Sequence, residues 1–403
     1  MTNCELTSIL SKINVFFPSY LKGKKWDQPI PAFNNKLLKH IAVRRFKSRR
    51  KKMKTKVLDN KNFISSIDKS SMYMELDNFP KTISEKVTLN LPDNYSRVKN
   101  ILVGGMGGSG ICGDIIQSTL FELIDLPIEV IKDYSLPKHI NSESLVIVIS
   151  YSGNTEETLS LFDEAQKRES KIIAISNGGE LQEKAKKFNS PYIRVKESLM
   201  PRTALGHLLN PLLNIVLKLF PNTLAYQDIL EAEKILSNLQ IIYALGSPLS
   251  ENRAKEIAEK IKNKSIMIFG SESITRSAAL RLKTQFNENS KLSVYYNCFP
   301  ELGHNEIIGI ADDPLSKKDT VIITLRSPLE NPQLKKCIDV ALEIIKPRVN
   351  EVIELWGQGK SKLSQILSLI FLGDWISYYL ALLREVDPTP VPSINQFKKM
   401  KKE

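Results

Sequence analysis

The chain has 403 residues, of which 42% are apolar (Ala, Val, Ile, Leu, Met, Phe, Trp, Tyr or Cys), an ordinary globular proportion in a length that suits two or three domains. Its four cysteines, Cys4, Cys112, Cys298 and Cys337, form no CxxC pair, which argues against a disulfide framework or a thiolate zinc site and points to a reducing cytoplasm. The formal charge of +13 lies wholly in residues 1–56, where 15 Lys/Arg face 2 Asp/Glu; residues 57–403 hold 42 of each, which removes net charge as an argument for a nucleic-acid partner there.

The densest part of the leader is Arg44 to Lys56, RRFKSRRKKMKTK, a run suited to nucleic acid or an anionic membrane surface. Yet residues 1–52 show no sustained period, no small-residue cleavage site and no apolar core of a signal peptide. Residues 1–56 are therefore read as a disordered leader or a mis-set start, with Met53 as a natural first residue, and function is sought after residue 57.

From there a polar helical opening, Asp59 to Phe79, is expected to break at Pro80. The strand NILV (100–103) runs into GGMGGSG and a helix, ICGDIIQSTLFEL. IEVIKDY (128–134), LVIVIS (145–150) and KIIAIS (171–176) follow as strands, with LFDEAQKRE between the last two, LQEKAKKF after them and PYIRV as a shorter strand. A mostly helical passage from Gly206 through DILEAEKILSNL joins this lobe to a second. There the pattern restarts with a helix from Glu251 to Lys262, the strand SIMIFG, the helix ITRSAALRLKTQFNEN, the strand LSVYYN, the loop CFPELGHNEI and the strand TVIITL. Leu363 to Leu383 is apolar but interrupted by Gly373 and Asp374, so it reads as a buried helix, not a membrane span. The fold class is α/β, with two doubly wound parallel-sheet domains in tandem: 57–222, then 223–403 with a helical tail.

Two loops carry the chemistry. After the strand 145–149 come Ser150, Ser152, Gly153 and Thr155, and Thr155-Glu-Glu-Thr158 reads as a capping box opening a helix. Hydroxyls beside free N–H groups at a helix N-terminus suit a phosphate, although an ordinary capped turn has the same composition. One strand earlier, Gly105, Gly107 and Gly110 match GxGxxG in a strand-to-helix context, and Asp133 stands where a ribose-binding carboxylate belongs, so a nicotinamide dinucleotide is a competing reading. Two such loops at the carboxyl ends of neighbouring strands suit a single phosphomonoester better. In the second lobe His304, in PELGHNEI beside Glu301 and Glu306, is a candidate acid–base group, and Glu288 closes a helix; spacing alone distinguishes neither from a solvated side chain.

GGMGGSG, SYSGNTEET, MPRTAL, KTQFNEN, PELGHNEI and DPTPVPSINQFKK, in that order, resemble the archaeal and bacterial bifunctional phosphoglucose/phosphomannose isomerase family, built from two sugar isomerase (SIS) domains; the likeness covers about residues 57–403. The resemblance implies a phosphate pocket from Ser109, Ser150, Ser152 and Thr155, a base at Glu288 and a ring-opening histidine at His304. It also implies Arg202 beside the reacting carbons, Lys398 near the ring oxygen, and a homodimer in which His304 enters the neighbouring subunit's site. The implied substrate is a sugar 6-phosphate; no metal or cofactor is implied, and HExxH, paired histidines and clustered cysteines are lacking from the sequence. A SIS-domain sugar-phosphate sensor with the leader as a DNA arm needs a helix-turn-helix before residue 57, and the sequence shows none. A nicotinamide oxidoreductase rests on GxGxxG alone.

Overall fold

Short β-branched runs make strands and longer runs make helices, alternating through most of each half, and the result is two parallel sheets. The computed structural model describes residues 57–313 and 317–401; the basic leader lies outside the described residues. Helices α1 (Lys61–Ile67) and α2 (Met72–Thr82) come first. Asn60 caps α1 by accepting from the N–H groups of Asn62 and Phe63. Pro80 does not break the opening as expected: it sits in the last turn of α2, where it removes one helical bond, and the interruption falls earlier, at Ser71 with φ of 55°.

The first sheet comprises β1 (Asn100–Gly105), followed by α3 (Gly107–Leu120), then β2 (Ile128–Ile131), β3 (Ser144–Ile149), α4 (Glu156–Lys167), β4 (Lys171–Ser176), α5 (Gly179–Lys187) and β5 (Tyr192–Arg194). Its order is β2-β1-β3-β4-β5, all parallel, with Val103 opposite Ile147 and Ile147 opposite Ile173. The order reverses between β1 and β3, which opens a crevice beyond their carboxyl ends. Helices α6 (Leu205–Leu219), α7 (Tyr226–Tyr243) and α8 (Arg253–Ile261) lead to the second sheet. There β6 (Ser265–Ser271) is followed by α9 (Arg276–Glu288), β7 (Tyr295–Phe299), α10 (Glu306–Ala311), β8 (Lys317–Arg326), α11 (Pro332–Ile345) and β9 (Val349–Trp356), in the order β7-β6-β8-β9. Two helices end the chain, α12 (Lys362–Leu383) and α13 (Pro392–Met400).

α12 is the helix expected from the apolar stretch 363–383. It is long and apolar enough to cross a membrane, yet every residue from Leu363 to Leu383 is buried inside the protein. Being apolar all round, it needs cover on every side, and α2, α3, α7, α8 and α9 pack on it. Phe371, Trp375, Tyr378 and Tyr379 pack their rings together along it, with Trp375 stacked on Tyr379 at 5.4 Å. One apolar cluster thus includes Val103 and Ile147 of the first sheet and Ile268 and Ile323 of the second.

Candidate active site

The hydroxyl residues meet at the crevice of the first sheet. Ser109, buried in the first turn of α3, accepts a hydrogen bond from the N–H of Tyr151 at 3.1 Å. Ser150 pairs its hydroxyl with that of Thr155 at 2.9 Å and accepts the N–H of Gly153 at 3.1 Å. Thr155 is the N-cap of α4, as the sequence suggests, but the expected capping box does not form. Thr158, not Glu or Gln, stands three residues on, so nothing reaches back, and the Thr155 hydroxyl turns to Ser150 instead. Ser152 is exposed at the rim and, among the described residues, accepts only the N–H of Asn154, at 3.3 Å. Gly153 needs its φ of 69°, and a Cβ there would lie 1.7 Å from the carbonyl oxygen of Gly178.

Helix α3 starts at Gly107, within the glycine run and not after it at Ile111 as expected. The glycines in that first turn also allow close packing, since a Cβ on Gly108 would sit 2.8 Å from the carbonyl oxygen of Pro201. That approach seats the segment carrying Arg202 against the phosphate-type loops. Asp133, by contrast, lies beyond the end of β2, exposed, with its carboxylate accepting the N–H of Tyr134.

Arg202 and Glu288 form the second cluster. Arg202 is buried; its Nη1 donates to Glu288 Oε2 at 3.3 Å, its Nε to Asn289 Oδ1 at 2.7 Å, and its Nη2 to the carbonyls of Pro388 and Thr389 at 2.6 and 2.9 Å. Burial pushes the guanidinium pKa down while the Glu288 carboxylate opposes that shift. Behind it Arg281 holds the Arg202 carbonyl at 2.9 Å and pairs with Asp374 at 2.7 Å, and burial raises the Asp374 carboxyl against the pull of Arg281. Glu288, the last residue of α9, opens onto a cavity of about 680 Å³ lined also by Asn287, Lys291, Leu292 and residues 391–394.

A smaller cavity of about 240 Å³ is lined by Ser152, Asn154, Thr155, Glu156, Glu157, Phe397, Lys398 and Lys401. Helix α13 borders both cavities, with its first turn at one and its last at the other, and buries none of its own residues. It is fastened where Lys401 pairs with Glu156 at 2.8 Å and Glu157 at 2.9 Å and lies over the Tyr134 ring at 4.9 Å. Burial would raise the Glu157 carboxyl, but the hydrogen bonds from Lys401 and Tyr134 bring it down.

The structure therefore brings Arg202 to Glu288, joins Ser150 to Thr155 with Ser109 bonded to the adjoining Tyr151 N–H, and sets Lys398 on the same cavity as Ser152 and Thr155. It leaves His304 apart. His304 ends a short 3-10 turn, Glu301–His304, exposed and without a hydrogen bond or ion pair among the described residues. Sequence reasoning missed Asn289, Lys291 and Lys401. The first two lie in or beside the NEN motif, but nothing in their spacing shows that a helix end would bring them to Arg202.

Two family models match the chain: a SIS domain over residues 94–194, and the bacterial phospho-glucose isomerase C-terminal SIS domain over residues 250–400. The bifunctional phosphoglucose/phosphomannose isomerase of Caldicellulosiruptor bescii is 36% identical over 331 residues, 81% of this chain and 98% of that protein. The chain belongs to the bifunctional phosphoglucose/phosphomannose isomerase family. The enzyme of the same name from Thermoplasma acidophilum is 34% identical over 81% of this chain and 97% of its own length. In fold the chain is similar to a glucose-6-phosphate isomerase like protein from Thermus thermophilus, with a TM-score of 0.59 at 16% identity over 85% of this chain and 98% of that one.

In this member of the phosphoglucose/phosphomannose isomerase family the strand ends of the second sheet carry different partners. At the corresponding switch point of the second sheet, Ser271 and Thr275 bond each other at 3.1 Å, and Thr275 donates to the carbonyl of Leu325. Next to them Arg326 is fully buried, paired with Glu330 at 2.9 Å and with Asp339 and Glu354 at 2.9 Å each. A cavity of about 390 Å³ also lies at this end of the second sheet, lined by Glu272 and Ser273 after β6, Pro300 after β7 and Asn331 beyond β8.

Proposed function

We propose that this chain is a cytoplasmic aldose–ketose isomerase that interconverts glucose 6-phosphate, and mannose 6-phosphate, with fructose 6-phosphate. The observation that carries the reading is the Arg202–Glu288 contact at the mouth of a cavity beside an open hydroxyl crevice. Isomerisation requires the ring to open, a proton to leave C2 and return to C1, and an enediolate to be stabilised between those events. Glu288 carries the carbon-bound proton, and Arg202 keeps positive charge beside the reacting carbons. Ser109, Ser150, Ser152 and Thr155, with the N-termini of α3 and α4, hold the phosphate, and that remote binding energy orients the carbons. Lys398 serves the ring oxygen from the C-terminal helix. His304 opens the ring in the site of a second copy within a homodimer; its exposure and lack of partners among the described residues support that role.

A coupled assay with glucose, mannose and fructose 6-phosphates tests this. Turnover of the glucose or mannose form to the fructose form is expected; binding of all three without turnover would identify a sugar-phosphate sensor instead.

A further inference from the structure

Arg202 has little donor capacity left for a substrate. A guanidinium carries five N–H groups, and four of them are engaged, with Asn289, Glu288, Pro388 and Thr389. Charge developing on the substrate oxygens therefore calls for a second cation with a free proton. One stands in the same cavity. Lys291 follows the end of α9 with a φ of 52°, its stem exposed and its ammonium turned back to the carbonyls of Glu288 at 2.5 Å and Pro388 at 3.2 Å. Those two bonds leave one of three N–H groups for a ligand. The charged groups that face it are Arg202, Asp387 and Glu288, and the remaining lining residues of the cavity are uncharged.

We propose that Lys291 is a further catalytic residue, which moves the hydroxyl proton between the two substrate oxygens while Glu288 moves the carbon-bound proton. This rests on the isomerase reading above. In the aldose-to-ketose direction Glu288 takes the C2 proton, the C2–H electron pair forms the C1–C2 double bond, and the C1 carbonyl oxygen takes a proton from the Lys291 ammonium. The neutral amine then accepts the proton of the C2 hydroxyl as the C2 carbonyl forms, while Glu288 returns its proton to C1. Both carriers end as they began, and no oxidant or other reactant is needed. The group is suited to both steps: burial first, and then the nearby Arg202 charge, bring the Lys291 pKa down to about 8, against the opposing pull of Asp387 and Glu288.

The test compares wild type, Lys291→Met and Lys291→Arg across pH, with unfolding followed to confirm that each folds. Wild-type kcat/KM is expected to fall as pH rises through about 8, as the ammonium loses its proton. Lys291→Met should lose about 10²-fold or more in kcat with a nearly unchanged KM, lose that alkaline limb, and recover activity with added methylamine or ethylamine. Lys291→Arg, a cation that does not give up its proton, should stay as slow as Lys291→Met. Unchanged kcat in Lys291→Met overturns the assignment, and so does full activity in Lys291→Arg. A kcat loss with the alkaline limb intact and no amine rescue overturns it too, by reducing Lys291 to a support for two carbonyls. A wild type that turns over none of the three sugars overturns the isomerase reading itself, and this assignment with it.

Discussion

Arg281 Nη2 donates at 2.9 Å to the main-chain carbonyl of Arg202, so the residue that faces Glu288 is positioned by a neighbour of the same charge. Asp374 makes that arrangement tolerable, since its carboxylate lies 2.7 Å from the same Nη2 and accepts from Gln285 at 3.0 Å. Both members of the pair are almost wholly buried, with side-chain exposures of 3% and 5%. Removing one partner strands the other charge in the interior, so Asp374→Asn or Arg281→Met is expected to cost about 3–5 kcal/mol in denaturant unfolding. The folded fraction should also lose turnover, because the Arg202 segment loses its anchor.

Glu288→Gln keeps the shape and hydrogen bonding of the side chain but removes the base. A fall in kcat of about 10²- to 10⁴-fold, with sugar-phosphate binding retained, is expected. His304→Ala should slow the cyclic substrate more than an open-chain analogue. If His304 works in the partner's site, mixing the two inactive proteins and verifying subunit exchange by tagged pull-down should restore activity, because one intact site forms per heterodimer. Full activity in Glu288→Gln would sink the mechanism; failure in a proven heterodimer would remove only the crossing histidine.

The hydroxyls of the first crevice should separate by their partners. Ser152 is exposed and, among the described residues, holds only the Asn154 N–H, so Ser152→Ala should leave stability unchanged and raise KM roughly ten- to a hundredfold, the worth of a hydrogen bond to a charged phosphate. Ser150→Ala also strips the loop of its bonds to Thr155 and Gly153, and should lower the melting temperature as well. Equal KM for Ser152→Ala and wild type would take that hydroxyl out of the phosphate site.

Acid should loosen the entry to α12. Burial alone would raise the Glu231 carboxyl, but the N–H groups of Ser361 and Lys360 and the hydroxyls of Ser361 and Ser364 outweigh it and bring the pKa to about 2. A carboxyl depressed in the folded state stabilises above its unfolded value, near 4.5, and that contribution is lost as pH falls from there toward 2. Glu231→Gln is expected to cost about 1–3 kcal/mol at neutral pH and to show a shallower loss below pH 4.5 in urea titrations than wild type.

The strands of the first sheet were legible because each is a short apolar run bounded by turn residues, and Ile147 in β3 declares a strand buried on both faces. Less was legible where neighbours decide. LSVYYN reads as a strand from Leu292, but β7 begins only at Tyr295, since Leu292 to Val294 lead out of the cavity beside Glu288. Thr155 looked like half of a capping box, and only the position of Ser150 across the loop reveals where its hydroxyl goes. β9, with Glu351 and Glu354 among its apolar residues, lacks the continuous run that betrays a buried strand. Lys291 is an unremarkable lysine in sequence; its ammonium is held in part by the carbonyl of Pro388, almost a hundred residues away.

Helix α12 comes from the end of the chain, yet it is the common filling beneath both sheets, with α3 of the first and α9 of the second packed on it. The two halves are therefore not separable modules in the manner of beads on a string. A fragment stopping before α6 would leave bare the apolar surface that α12 covers, and one starting after α7 would expose an unsheathed apolar rod. Each should aggregate when expressed singly, and the intact chain should melt in one calorimetric transition. Within that single cooperative block α13 stands out, since it buries nothing of its own and is held at its end by the ammonium of Lys401.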